Sequence, residues 1–189
     1  MPTERELHAF IATVDEVGLP IMLYNNPGRT GVNLDARRMT ELAKLRHVVA
    51  LKDSAKDLGQ LAATLRAVRS ELAVFVGFES YVVACVQRGA VGVVGMAPNV
   101  LGGDAVQLFR LATEGGAGLE PVQERIDLLY EAMYGWNYNP YVVAKEAMRL
   151  LGRPGGHPRP PLLPMLEPDR EKLRALLLEL GAIPRAAAQ

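Results

Sequence analysis

The chain has 189 residues, 49% hydrophobic and 22% charged, a composition typical of a globular protein with one sizeable core. Its 21 basic and 21 acidic side chains cancel to a formal charge of zero and are mixed along the sequence. This balance excludes the strong field that would attract nucleic acid or an anionic membrane, so we expect neither partner. The chain is also shorter than the about 250 residues of an ordinary (β/α)8 barrel.

Cysteine usage and hydropathy favour a cytoplasmic location. The one cysteine, Cys85, cannot form an internal disulfide, and the first residues lack the basic and then apolar pattern of a secretory signal. The longest apolar stretch, 90–101, is interrupted by glycine and proline and is shorter than the about 20 residues that span a bilayer. We therefore predict a cytoplasmic protein without a transmembrane segment, and we place Cys85 in the core.

The spacing of apolar residues predicts alternating helices and strands in the first part of the chain. Thr3 and Glu6 form a capping-box pattern before a first helix that ends near Gly18. Because the later strand-like runs are continuously apolar and separated by helical patterns, they fit a parallel sheet with helical crossovers. We predict strands over 21–24, 48–52, 72–77 and 91–94, and helices over 34–45, 58–68, 81–87 and 100–113.

The pattern changes after a glycine-rich segment at 115–118. Helical patterns follow over 121–134, 141–151 and 169–180, with no strand-like run between them. We therefore predict two domains, a partial (β/α) barrel over 1–115 and a helical extension over 116–189. Since an open α/β sheet normally begins with a strand, four strands preceded by a helix indicate a barrel that lacks its first half.

Two predicted strands end in residues that can take part in catalysis. Tyr24 ends the first strand and Lys52 the second, and polar, turn-rich sequence follows each. Because the carboxyl ends of neighbouring parallel strands meet at one edge of a sheet, the phenol and the amine should lie side by side. Such a pair suits imine chemistry on a carbonyl compound. A lysine amine has an ordinary pKa of about 10.4, so use as a nucleophile requires burial or a neighbouring cation.

Each candidate also has a structural explanation. Lys52 could extend from the strand end into water or pair with Asp53, and Tyr24 could be a packed tyrosine before an ordinary turn. Arg29 lies in that turn and could hold a carboxylate. Glu79 follows the third strand toward the same edge, where it could contact substrate or simply begin a helix whose dipole favours a carboxylate.

The glycine-rich segment 89–99 could let backbone groups approach a ligand, or could let a strand pack against a helix. It is not a G-x-G-x-x-G dinucleotide fingerprint. In a further interpretation, segment 89–99 binds a phosphorylated substrate or pyridoxal phosphate, and Lys52 is the imine partner. The three histidines are scattered without metal-ligand spacing, so we predict no metal site.

Taken together, five parts of the sequence resemble the pyruvate-dependent aldolase family that includes dihydrodipicolinate synthase and N-acetylneuraminate lyase. Their order and spacing agree with that family from about residue 3 to residue 181. The resemblance implies a (β/α)8 TIM barrel with a C-terminal helical extension, of which this chain holds the last four strands. The matching parts are 24–31 (Tyr-Asn-Asn-Pro-Gly-Arg-Thr-Gly), 49–57 (Val-Ala-Leu-Lys-Asp-Ser-Ala-Lys-Asp), 77–80 (Gly-Phe-Glu-Ser), 89–99, and Asn139-Pro140 with Lys145 and 159–162 (Arg-Pro-Pro-Leu).

The resemblance also implies roles for individual residues. Lys52 is expected to form the Schiff base, with Tyr24 as the proton relay. Arg29 is expected near the entrance, where it can bind the carboxylate of a second substrate. The carbonyl of Val94 should face the site, and the segment from Gly77 to Ser80, which includes Glu79, should border the pocket that distinguishes family members.

The implied activity is that of a pyruvate-dependent lyase or synthase that forms or cleaves a carbon–carbon bond, most like 4-hydroxy-tetrahydrodipicolinate synthase. A sugar-acid lyase of the same family is the alternative: Arg29 followed by Thr-Gly favours the synthase, and Glu79 keeps the sugar-acid branch open. This chemistry requires no metal or organic cofactor. The expected partners are pyruvate or a 2-oxo acid, an aldehyde, and further copies of the chain in a homo-oligomer.

The chain departs from the family pattern in two ways. It lacks the glycine-rich turn and threonine pair that hold the pyruvate carboxylate, and a second tyrosine supplied across a subunit interface. It also has Lys56 where the family usually has glycine, which could alter the turn or add a cation near the amine. A second hypothesis follows, in which the chain is a catalytically incomplete barrel that needs a partner chain, because its strand edges are unpaired.

Overall fold

A computed structural model describes residues 1–184, and the chain folds as two compact units that divide between Gly95 and Met96. The predicted α/β class is confirmed by a four-stranded parallel sheet flanked by helices in the first unit. This division reflects which residues contact one another within each unit. The predicted boundary at residue 115 instead separates the strand–helix repeats of the barrel from the helical extension. The boundary at 115 stays a prediction.

The first unit contains the predicted alternation of helices and strands. Its strand β4 covers two residues instead of the predicted four, in a segment where glycines at 89, 92 and 95 weaken strand structure. In chain order the elements are α1 (Glu4–Asp15), β1 (Ile21–Asn25), α2 (Pro27–Thr30), α3 (Ala36–Leu42), β2 (Val48–Asp53), α4 (Leu58–Val68), β3 (Ala73–Val76), a 3-10 turn (Glu79–Tyr81), α5 (Val82–Val86) and β4 (Gly92–Val93).

Local sequence explains where these elements begin and end. The predicted capping box is present at α1, where the Thr3 backbone N–H donates to Glu6 at 2.7 Å and Thr3 Oγ1 accepts from the Glu6 N–H at 3.3 Å. The short helix α2 was predicted as an irregular turn. It forms because Pro27 supplies helical φ at the first position and Gly31, with φ of 70°, ends the helix in the left-handed region.

The four strands are parallel and adjacent in chain order, β1-β2-β3-β4. One face of the sheet packs against the helices and forms the core of this unit. The buried residues on that face include Leu23, Leu51, Val74 and Val76, and Cys85 lies in the same core as predicted. Burial raises the pKa of the Cys85 thiol to about 11, which keeps it protonated and unreactive at neutral pH.

The opposite face of the sheet carries one row of directly paired residues across all four strands. Tyr24 pairs with Lys52, Lys52 with Phe75, and Phe75 with Gly92. A Cβ at Gly92 would lie 2.7 Å from the Phe75 ring, so the absence of a side chain there lets the ring lie across the end strand. The two candidate catalytic residues therefore stand in one row with an aromatic neighbour.

The second unit is helical, as the sequence predicts. Each of its last three helices begins one or two residues before the predicted start, in accordance with the usual uncertainty of helix ends. No helix among the described residues is long and apolar enough to cross a membrane. The helices are α6 (Gly102–Glu114), α7 (Leu119–Gly135), α8 (Pro140–Leu150) and α9 (Glu167–Glu179).

Candidate active site

The parallel register of β1 and β2 places Tyr24 directly opposite Lys52 at the carboxyl edge of the sheet. The Lys52 Nζ lies 4.4 Å from the centroid of the Tyr24 ring, within the range of a cation–π contact. Tyr24 is 45% exposed and Lys52 is half-buried, so both side chains can be reached from solvent. The prediction that the phenol and the amine lie side by side is confirmed.

The alternative in which Lys52 pairs with Asp53 is wrong. Consecutive residues of a strand point to opposite faces, and Asp53 is 3% exposed on the face that packs against the helices. Its carboxylate accepts hydrogen bonds from Asn25 Nδ2 at 2.8 Å and from the Ala55 backbone N–H at 3.0 Å. Lys52 instead projects toward Tyr24 on the opposite face.

The Tyr24 hydroxyl is contacted by a residue two positions along the chain. Asn26 Nδ2 donates to Tyr24 Oη at 2.7 Å, and Ser54, two positions after Lys52, is close enough for its side chain to lower the pKa of the phenol. No role for Asn26 or Ser54 was predicted from the sequence, although both lie within the segments that carry the family resemblance. The signal that could have found them is their position, each two residues after a strand-end candidate.

The surroundings of Tyr24 change its acidity. Burial is the largest single influence and raises the pKa of the phenol. The hydrogen bond from Asn26, the Ser54 side chain and the positive charges of Lys52 and Arg29 together outweigh it, so the net pKa of Tyr24 lies below its ordinary value. A phenol with a lowered pKa gives up its proton more readily, which suits a group that must donate a proton to a departing hydroxyl.

Arg29 and Glu79 differ in their exposure. Arg29 lies on α2 and is exposed, close enough for its charge to act on Tyr24. Glu79 is 2% exposed at the start of the 3-10 turn. A Cβ on Gly95 would overlap the Glu79 carboxylate, so that carboxylate lies directly on the backbone beside Val94. Contact of Glu79 with substrate stays a prediction.

Gly77 and Val94 lie at the ends of the last two strands. A Cβ on Gly77 would overlap Ser54 Oγ and lie 2.6 Å from the Asp53 backbone oxygen, so only glycine lets β3 approach β2 this closely. The Val94 N–H donates to the Val76 carbonyl at 2.9 Å, which continues the ladder past β4. Their roles in substrate binding stay predictions.

Lys56 adopts a left-handed backbone conformation that favours glycine. Its φ is 59°, in the left-handed region, and no other non-glycine among the described residues has positive φ. Its Nζ lies 5.1 Å from the centroid of the Phe78 ring. The turn after β2 therefore carries backbone strain at Lys56, and the Lys56 ammonium lies over Phe78.

The fold and the site define a class of protein: parallel α/β proteins of the (β/α)8 type with a lysine and a tyrosine on the carboxyl ends of adjacent strands. The sequence profile of the dihydrodipicolinate synthetase family matches residues 1–180. The chain belongs to this family.

Curated relatives support the same assignment. A DapA-like lyase of Rhizobium meliloti is 40% identical over 176 residues, covering 93% of this chain and 59% of that protein. The 4-hydroxy-tetrahydrodipicolinate synthase 1 of Halalkalibacterium halodurans is 34% identical, covering 87% of this chain and 55% of that protein. The chain thus spans less than two thirds of the length of these relatives.

Solved structures resemble the fold over nearly the whole chain. YagE, a prophage protein of the dihydrodipicolinic acid synthase family from E. coli K12 in complex with pyruvate, has a TM-score of 0.86 at 28% identity; the match covers 96% of this chain and 63% of YagE. The dihydrodipicolinate synthase of Cyanidioschyzon merolae with lysine bound has a TM-score of 0.87 at 30% identity; the match covers 97% of this chain and 62% of that one. The predicted family and TIM-barrel class are confirmed.

Proposed function

We propose that Lys52 is the nucleophile of a Schiff-base lyase or synthase that acts on pyruvate or a related 2-oxo acid. The observation that carries this proposal is the 4.4 Å contact between the Lys52 ammonium and the Tyr24 ring on adjacent strand ends. The pyruvate complex of YagE supports the choice of first substrate.

In the proposed reaction, neutral Lys52 Nζ attacks the keto carbon, forming a C–N bond and a carbinolamine. Tyr24 donates its proton to the carbinolamine hydroxyl, which leaves as water, and a protonated imine remains. The imine draws electrons from the neighbouring carbon, which gives its proton to the Tyr24 phenolate and leaves an enamine. The enamine carbon then bonds to the carbonyl carbon of an aldehyde, whose oxygen takes a proton from Tyr24 and becomes a hydroxyl. Water finally adds to the resulting imine and cleaves the C–N bond, which releases product and the Lys52 amine. This route uses no metal or organic cofactor.

We assign the second substrate to the exposed end of the site. Arg29 carries a guanidinium suited to the carboxylate of an acidic aldehyde, and 4-hydroxy-tetrahydrodipicolinate synthases are among the curated relatives. The synthase reaction is therefore preferred. A sugar-acid lyase remains the alternative, with the buried Glu79 and the backbone of Gly77 and Val94 bordering the acceptor pocket. We further expect a cytoplasmic homo-oligomer.

A second candidate is that the chain is a catalytically incomplete barrel that acts only with a partner chain. Within the part of the chain that the structure describes, the edge strands β1 and β4 have a sheet neighbour on one side only. Met22 on β1 is 45% exposed, and Val94 directly after β4 is 39% exposed. The chain also spans only 59% of the R. meliloti lyase. In this case the lysine and tyrosine form half of a site whose remaining groups come from elsewhere.

The deciding experiment is intact-mass analysis after incubation with pyruvate and borohydride, which reduces an imine to a stable adduct. We expect one pyruvate adduct on the wild type and none on Lys52→Arg. Lys44→Arg, which changes an exposed lysine paired with Glu41, is the matched control and should still form the adduct. No adduct on a folded wild-type chain would reject catalysis by this chain alone and favour the incomplete barrel.

A further inference from the structure

A buried hydrogen-bonded pair lies immediately next to the candidate catalytic pair. Asn25 and Asp53 are opposite each other in the β1–β2 register, one residue beyond Tyr24 and Lys52. Asn25 is 0% exposed and Asp53 is 3% exposed. Asn25 Nδ2 donates to Asp53 Oδ2 at 2.8 Å, so the side chains join the last residues of the two strands on the helix-facing side.

Asn25 also fixes the segments that follow both strands. Its Oδ1 accepts from the Leu34 N–H at 2.9 Å and its Nδ2 contacts the Leu34 carbonyl at 3.3 Å. Its backbone carbonyl accepts from the Ser54 N–H at 2.7 Å. Because the Ser54 side chain is close enough to the Tyr24 phenol to lower its pKa, Asn25 connects the strand end to a residue beside the catalytic candidate.

The network continues into helix α4. Asn33 and Gln60 exchange amide hydrogen bonds of 2.7 and 2.9 Å, and Asn33 Oδ1 also lies 3.3 Å from Asn25 Nδ2. Asp57 caps the same helix by accepting from the Gln60 N–H at 2.8 Å. A buried polar network with its partners in place is rigid, because each broken bond would leave a desolvated polar group.

We propose that Asn25 and Asp53 are positioning residues that hold the ends of β1 and β2 together so that Tyr24 stays against Lys52. Among residues 1–184, β1 pairs with β2 alone, so its last residues would otherwise separate easily from β2. The side-chain hydrogen bond between Asn25 and Asp53 adds a link between the strands, next to the position where Tyr24 must stay paired with Lys52. Their catalytic importance rests on the proposed function, whereas their control of the Tyr24–Lys52 contact does not.

Asp53→Asn tests this link with a nearly isosteric change. The carboxylate accepts from Asn25 Nδ2 and from the Ala55 N–H, but an amide has only one acceptor oxygen, so one donor loses its partner. The strand ends should then loosen. Val68→Ala is the control for general destabilisation, because Val68 is 1% exposed at the far end of α4.

The first readout is the pKa of Tyr24, measured by NMR of the tyrosine ¹³Cζ resonances and assigned with Tyr24→Phe. With the Lys52 contact loosened, we expect this pKa to rise toward the ordinary value of about 10 in Asp53→Asn but not in Val68→Ala. The second readout is the rate of pyruvate trapping by borohydride, which should fall at least about tenfold in Asp53→Asn alone.

The exchange Asn25→Asp/Asp53→Asn provides a rescue. It reverses the direction of the bond between the two side chains and keeps an acceptor for the N–H groups of Leu34 and Ala55. It also places a carboxylate oxygen where Asn25 Nδ2 meets the Leu34 carbonyl and Asn33 Oδ1, so both readouts should return only in part toward wild type. An unchanged Tyr24 pKa in Asp53→Asn would overturn the proposal. If the wild type traps no pyruvate, the proposed function fails for this chain, and the Tyr24 pKa still decides the positioning role.

Discussion

Lys56 occupies a backbone conformation that favours glycine. We expect Lys56→Gly to stabilise the chain by about 0.5–1 kcal/mol, because relief of the left-handed strain outweighs the greater flexibility of glycine in the unfolded chain. Urea unfolding measures this difference. The matched control is Lys44→Gly, at an exposed lysine without positive φ, which should destabilise the chain. Equal destabilisation by both changes would show that position 56 carries no strain.

The buried Asp53 should make stability depend on pH. Burial raises its pKa above the ordinary value, and the bonds from Ala55 and Asn25 offset this only in part. The folded state therefore holds the proton more tightly than the unfolded state. The contribution of Asp53 to stability is fully present below the ordinary pKa of about 3.9 and is lost as pH rises through the raised value.

The free energy of unfolding of wild type minus that of Asp53→Asn should thus decrease as pH rises from acid to neutral, in urea titrations at a series of pH values. Glu4→Gln offers a comparison of opposite sign, since the hydrogen bond from Arg37 lowers the pKa of the exposed Glu4. The contribution of Glu4 to the free energy of unfolding is smaller and is lost as pH falls. A wild-type minus Asp53→Asn difference that is flat or increases with pH would contradict the burial argument.

At the level of single residues, the sequence predicted the proximity of Tyr24 and Lys52 because parallel strand ends share one edge. It did not predict Asn25, Asn26 or Ser54 as their supports. Hydrogen bonds of this kind depend on how the loops fold back over the strands, and neither periodicity nor spacing contains that information. The Lys52–Asp53 ion pair is excluded because successive residues of β2 point to opposite faces of the sheet.

At the level of elements, the close approach of β3 to β2 depends on Gly77. Gly77→Ala should destabilise the chain by about 1–3 kcal/mol, because the new Cβ meets Ser54 Oγ and the Asp53 backbone oxygen, and the backbone oxygen cannot rotate away. Thermal or urea unfolding tests this. Gly103→Ala in α6 is the matched control: its Cβ meets nothing within 4 Å, so stability should be unchanged or slightly higher.

The elements themselves were largely predictable. Helix α4 has the predicted bounds, and the capping box of α1 is formed, since both follow from apolar spacing and local capping chemistry. The short helix α2 was missed because its four residues are too few to show periodicity. β4 is shorter than its apolar run, because sheet pairing and glycine content decide strand length more than hydropathy does.

At the level of the whole molecule, both edges of the sheet are unpaired among the described residues 1–184, and we expect copies of the chain to associate through them. Met22, on edge strand β1, is 45% exposed, and a lysine at such a position opposes edge pairing. Met22→Lys should reduce the mass measured by light scattering after gel filtration. Val106→Lys, at a 72% exposed position on α6, should not. A monomeric wild type at all concentrations would contradict this expectation.

The order of strands has a consequence for local motion. Lys52 stands on β2, which has a neighbour on each side, whereas Tyr24 stands on β1, which has one. Amide hydrogen exchange should accordingly be faster in β1 than in β2, because freeing an edge strand breaks fewer bonds. Local opening of β1 would move the Tyr24 phenol away from the Lys52 amine, while Lys52 stays in place on β2. Tyr24 would therefore leave its position in the folded state more often than Lys52 does.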